Sequence, residues 1–119
     1  MVRRVLGMLL VLAVSTTAVT AQSRTLWGEI VDVRCMEKSA ENVGDSHLDC
    51  ALSCARRGAV MGIQAADGLY IITGEYTAQS NAKLIEFVAR QVEATGEVVE
   101  RNGRRTIRAR QIKLVTRNP

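Results

Sequence analysis

Cys35, His47, Cys50 and Cys54 are the residues whose types and spacing permit chemistry beyond packing. They comprise all three cysteines and the single histidine of a 119-residue chain. Three thiols and one imidazole offer two uses. The first is a disulfide from Cys35 to Cys50 or Cys54. Closing a loop of about 15 to 20 residues would contribute on the order of 3 kcal/mol in the chain-entropy treatment. A Cys50–Cys54 pair is disfavoured, because two cysteines on one helix do not easily reach the required dihedral. The second is a metal site in which Cys35, His47, Cys50 and Cys54 supply four ligands suited to Zn²⁺. Soft sulfur also suits Cu⁺, with Met36 or Met61 as further sulfur donors. A third use, thiol catalysis, asks for a cysteine near a helix N-terminus with a histidine one turn away, as Cys50 and His47 would be. Cys-x₃-Cys is not the Cys-x₂-Cys of thiol oxidoreductases, however, and no second histidine is present to relay a proton. No Ser/His/Asp set, phosphate loop or paired-carboxylate motif appears. The expectation is a non-enzymatic protein.

The element that must position these groups is a helix running from His47 to Arg57. Ser46 and Asp49 form a capping-box signal at its start. Arg56 and Arg57 complement the dipole in its last turn, and Gly58 supplies a left-handed C′ residue. Leu48, Ala51, Leu52 and Ala55 recur at i, i+3, i+4 and i+7, the stripe that faces a core. At about 100° per residue, His47, Cys50 and Cys54 fall within roughly 60° of one another, along the edge of that stripe. Asp49, Ser53 and Arg56 point to solvent.

The start of the chain reads as an export signal: Arg3 and Arg4, an apolar run from Val5 to Val14, and the small-residue site Val19-Thr20-Ala21. Cleavage after Ala21 leaves a single domain over residues 22–119. The apolar run is shorter than the about 20 residues a membrane span needs. Arg3-Arg4-Val5-Leu6 also partly matches a twin-arginine signal. Loss of Arg3 and Arg4 lowers the formal net charge from +4 to +2, which weakens the case for an acidic partner. Export places the chain in a periplasmic or secreted setting, where disulfides persist. Three cysteines are an odd number, so either one thiol stays free or all three serve a metal.

Beyond the leader, Leu26 to Val33 reads as a first strand ending near Cys35, with Gly28 marking a bulge or bend. Met36 to Asp45 reads as a loop. Ala59 to Ala66 and Leu69 to Gly74 form a hairpin around Asp67-Gly68. Ser80 caps a short helix through Ala89 with Leu84, Ile85 and Val88 inward. Gln91 to Glu100 and Arg104 to Val115 pair across Asn102-Gly103. In the last strand, Ile107 and Ala109 share one parity while Ile112 and Leu114 share the other. This predicts a bulge near Arg110.

Five short strands with bare edges are most economically closed into a barrel. The order of elements, with Val92-Glu93-Ala94-Thr95-Gly96-Glu97-Val98, Asn102-Gly103 and Ile107…Ile112 closing it, resembles an OB-fold. The fold class expected is mainly β with two helices: a five-stranded OB-like barrel with an extra helix between the first two strands. From Trp27 to Val115 the chain also resembles a group of small exported bacterial domains with a Cys…His-x₂-Cys-x₃-Cys arrangement, here Cys35, His47, Cys50 and Cys54. That resemblance implies export and the barrel, but no activity.

Arg101, Arg104, Arg105, Arg108, Arg110, Lys113 and Arg117 load the C-terminal nineteen residues with positive charge. Nucleic-acid binding on a barrel face also wants stacking aromatics. Only Trp27, Tyr70, Tyr76 and Phe87 are available after cleavage. A solvated strand face is expected, with contact to an anionic surface through Arg101, Arg104, Arg105, Arg108 and Arg110 as the second use. The sequence thus points to an exported binding module for an unidentified protein or small ligand, stapled by a disulfide from Cys35. Its alternative is a Zn or Cu protein using the Cys₃His set.

Overall fold

Alternation of apolar and polar residues along five segments buries one face of each, and the sheet they form closes on itself. The computed structural model describes residues 10–16 and 19–115. Arg3, Arg4 and the start of the apolar run lie outside the described residues, as does Arg117. The strands are β1 (Gln22–Asp32), β2 (Met61–Ala65), β3 (Gly68–Thr73), β4 (Gln91–Arg101) and β5 (Arg104–Leu114). Their order around the closed barrel is β1-β2-β3-β5-β4. All neighbours are antiparallel except β3 and β5. This is the expected OB-like barrel. Two helices, α1 (Val33–Lys38) and α2 (Leu48–Arg56), lie between β1 and β2.

Closure depends on two glycines. β1 pairs with β4 along its first part and with β2 along its last, and Gly28 is opposite both Val92 and Ala65. A Cβ there would lie 2.2 Å from the Gln64 carbonyl oxygen. Only a residue without a side chain lets the two backbones approach at this corner. Gly96 plays the same part on β4, where a Cβ would lie 2.1 Å from the Arg108 carbonyl oxygen. It sits at a register shift, because Thr95 opposes Gln111 while Gly96 opposes Ala109. Arg110 is therefore the extra residue of a bulge, where the parity change places it. The bulge lets Ile107, Ala109 and Ile112 all face the core.

The core holds Ile30, Ile63, Tyr70, Leu84, Val92 and Ile107, all fully buried. Ala51 and Ala55 of α2 join the same cluster, with Leu48 and Leu52 packed against it. Burial of this stripe, at roughly 25 cal/mol per Å² of apolar surface, fixes α2 on the barrel. Gly58 adopts the left-handed conformation (φ 82°), and its amide donates to the Ala55 carbonyl, closing α2 as the sequence anticipates.

Several boundaries differ from the sequence reading. The segment Met36 to Asp45 is not loop throughout. Asp32 accepts a hydrogen bond from the Cys35 amide at 3.1 Å and caps α1, so the chain turns helical where β1 ends. The Ser46–Asp49 capping box is not made. Ser46 is taken into a 3-10 turn (Asp45–His47), and His47 becomes the N-cap of α2 without a side-chain cap bond. The first hairpin turns on Ala66-Asp67, one residue earlier than expected, since Ala65 pairs with Gly68. Ser80 to Ala89 is not a regular helix. Gln79, Ser80 and Asn81 all have positive φ, and only a 3-10 turn (Ile85–Phe87) follows. Its inward residues are right: Leu84 and Val88 are buried, and Ile85 packs against the core.

Among the described residues no helix is long and apolar enough to cross a membrane.

Candidate metal centre

Three of the four candidate residues converge. One ligand atom each from Cys35, His47 and Cys50 lies within 4.8 Å of the other two. Cys35 is carried by α1, His47 stands at the N-cap of α2, and Cys50 sits in the first turn of α2. Local bonds hold these pieces together. The Asn42 side-chain amide donates to the Cys35 carbonyl at 2.9 Å. Glu29 of β1 accepts from the Gly44 amide at 3.0 Å. The His47 amide donates to the Gly44 carbonyl at 3.0 Å. The segment between the two helices is thereby tied to the barrel wall and returns His47 to Cys35.

The spacing fits coordination. With metal–sulfur bonds of about 2.3 Å and metal–nitrogen bonds of about 2.0 Å, tetrahedral ligands stand about 3.5–4 Å apart. The three donors need close by no more than about an ångström to take an ion.

The electrostatics point the same way. Burial raises the Cys35 thiol above its ordinary range, and the Asp32 carboxylate, the neighbouring Cys50 and Cys54, and a hydrogen bond with Cys50 add to it. Several electron-rich groups thus crowd one small volume, a situation that a cation relieves. His47 supplies the sharpest observation. Its Nε2 is buried and, among the described residues, meets no hydrogen-bond partner. An unpaired buried polar atom is costly, and in a native site it calls for an unseen partner such as an ion. Asp32, which both caps α1 and charges the site, escaped the sequence reading. Its signal was an acidic residue three positions before Cys35, the spacing of an N-cap to the N3 amide.

Comparison with known proteins gives no match at significance: neither a family model, nor a curated protein, nor a solved structure. The site therefore has to be read from its own geometry.

The staple from Cys35 is not formed. Cys35, Cys50 and Cys54 are all free thiols. Asp32 caps α1 through the Cys35 amide and so fixes where the Cys35 sulfur stands, within 4.8 Å of the Cys50 sulfur but not bonded to it. An S–S bond would require about 2.05 Å. Cys54 stands outside the three-donor group, with its Sγ accepting from Arg57 Nη2 at 3.6 Å. Met61 is withdrawn into the barrel core and does not serve the site as a sulfur donor.

Two basic side chains of the C-terminal strand, Arg105 and Arg110, are engaged by neighbours. Arg105 lies over the Tyr70 ring, 4.5 Å from its centroid, and donates to the Tyr70 hydroxyl and to Asp67. Arg108 stands opposite Glu97, and Arg110 donates to Ser23. Arg101 and Arg104 face each other beside the hairpin tip. A cavity of about 540 Å³ opens beside Arg24, Asp67, Tyr70 and Arg105, but these four groups satisfy one another.

Proposed function

We propose that this chain is exported, loses residues 1–21, and serves as a periplasmic or secreted barrel that binds one thiophilic metal ion, Zn²⁺ or Cu⁺, without catalysing a reaction. Cys35, His47 and Cys50 hold the ion. His47 carries this reading: one of its ring nitrogens lies close to two thiols, and its Nε2 is buried and, among the described residues, without a partner. Export rests on the arginine-led apolar start of the sequence, and agrees with β1 beginning at Gln22, the first residue after the cleavage site. The apolar residues Leu10, Val11, Leu12 and Val14 are exposed rather than part of the barrel core.

The test is metal analysis of protein purified under reducing, chelator-free conditions, followed by thiol alkylation. One equivalent of metal is expected, with Cys35 and Cys50 shielded and His47→Ala losing both metal and shielding. At an ion concentration a hundredfold above its Kd, binding adds about 2.7 kcal/mol to stability. No metal under any loading, or equal metal in His47→Ala, overturns the reading. A mass short by two hydrogens in the reduced preparation does so as well.

A further inference from the structure

The three-donor group leaves one sulfur outside it. Cys54 lies one helical turn beyond Cys50 on α2 and is half-buried, with Arg57 donating to its Sγ at 3.6 Å. Cys50, by contrast, is exposed and belongs to the group. An ion held by Cys35, His47 and Cys50 has three protein ligands. Structural Zn²⁺ is almost always tetrahedral with four protein ligands, so it would have to draw Cys54 away from Arg57 or complete its shell with water. Cu⁺ is a soft ion with a filled d shell and no demand for a fourth ligand. Two thiolates and an imidazole match its preference.

We propose that the resident ion is three-coordinate Cu⁺, and that Cys54 is the thiol through which it leaves for an acceptor. This rests on the metal-binding reading above. In the exchange, the Cys54 thiol gives its proton to solvent as a bond forms from its Sγ to copper. The bond from copper to the Cys50 Sγ breaks, and that sulfur takes up a proton. An incoming soft-donor acceptor then displaces the remaining ligands. Copper stays in the +1 state throughout, and no electron moves. Residues four apart on a helix have Cβ atoms about 5–6 Å from each other, so the ion passes from Cys50 to Cys54 without unwinding α2. Arg57, an exposed residue, holds the exchange thiol aside until the acceptor arrives.

The test uses reduced protein loaded with Cu⁺ under argon, with a coloured bis-diimine chelator as both competitor and acceptor. Far-UV circular dichroism confirms the fold of each variant. Cys35→Ser, His47→Ala and Cys50→Ser are expected to weaken Cu⁺ binding at least a hundredfold. Cys54→Ser is expected to keep the affinity within threefold while slowing transfer to the chelator at least tenfold. Arg57→Gln, which perturbs no buried group, is expected to speed transfer at least twofold at unchanged affinity. A tenfold or greater loss of affinity in Cys54→Ser makes Cys54 a resident ligand and overturns the inference. Unchanged transfer in both Cys54→Ser and Arg57→Gln overturns it too. Tight Zn²⁺ with weak Cu⁺ overturns the inference while leaving the metal-binding reading intact. Failure to bind either ion removes both.

Discussion

Asn81 ties the helix that carries His47, Cys50 and Cys54 to the rest of the barrel, and its replacement gives the most informative stability measurement. The side chain is 3 % exposed and its Nδ2 donates to the Ala55 and Ala59 carbonyls, both at 2.9 Å. Asn81→Ala removes both bonds. The Ala55 carbonyl keeps the Gly58 amide, but the Ala59 carbonyl loses the donor it faces. Two net hydrogen bonds at about 1 kcal/mol each, plus about 1 kcal/mol for a stranded carbonyl, give a loss of about 3 kcal/mol. The backbone adds a separate cost. Asn81 has φ 60°, a conformation asparagine tolerates and alanine resists by about 1 kcal/mol or more. Asn81→Gly loses the same bonds without that strain, so it is expected to be the less damaging change. Urea unfolding followed by far-UV circular dichroism measures both. With the strain included, at about 4 kcal/mol in all, the alanine variant of a domain of this size should melt about 16–32 °C lower. A loss below about 1 kcal/mol in Asn81→Ala would mean that these two bonds do not anchor α2, and the reasoning would be refuted.

Two further outcomes are expected from the barrel. Gly28→Ala places a methyl group 2.2 Å from the Gln64 carbonyl oxygen, so the β1 corner must open. A loss of at least about 2 kcal/mol in urea unfolding is expected, and a variant as stable as the parent would show that the corner yields freely. The Asp67 carboxyl is held below its ordinary range by the Tyr70 hydroxyl first, and by Arg105 and Arg24 besides. A carboxyl depressed on folding lends stability above its unfolded pKa and loses it as pH falls through the lower folded value. Asp67→Asn should therefore narrow the gap between neutral and acid stability in pH-dependent urea melts, and an unaltered pH profile would count against this cluster.

The order of the polypeptide by itself determined the barrel, the Asn102-Gly103 turn and the bulge at Arg110. Each of these is a local matter: alternation of apolar residues states which face is buried, and a change of parity between Ala109 and Ile112 states where a residue must be skipped. Arg110 occupies that place, Asn102-Gly103 closes β4 to β5, and Gly58 ends α2. Spacing also put His47 and Cys50 on one helical edge, because that follows from the helix period alone. Which thiols meet was another matter. Cys35 joins them because Asp32 winds the end of β1 into α1 and because Glu29 and Asn42 draw the intervening chain inward. Cys54 lies outside the three-donor group, with Arg57 donating to its sulfur. The left-handed run at Gln79 to Asn81, where the sequence predicts a helix capped by Ser80, goes with a buried Asn81 amide that reaches two carbonyls near the end of α2. The bonds of Glu29 with Gly44 and of Asn81 with Ala55 and Ala59 join residues far apart in the chain, and no local period encodes them. Only the closed barrel brings their partners within hydrogen-bonding distance.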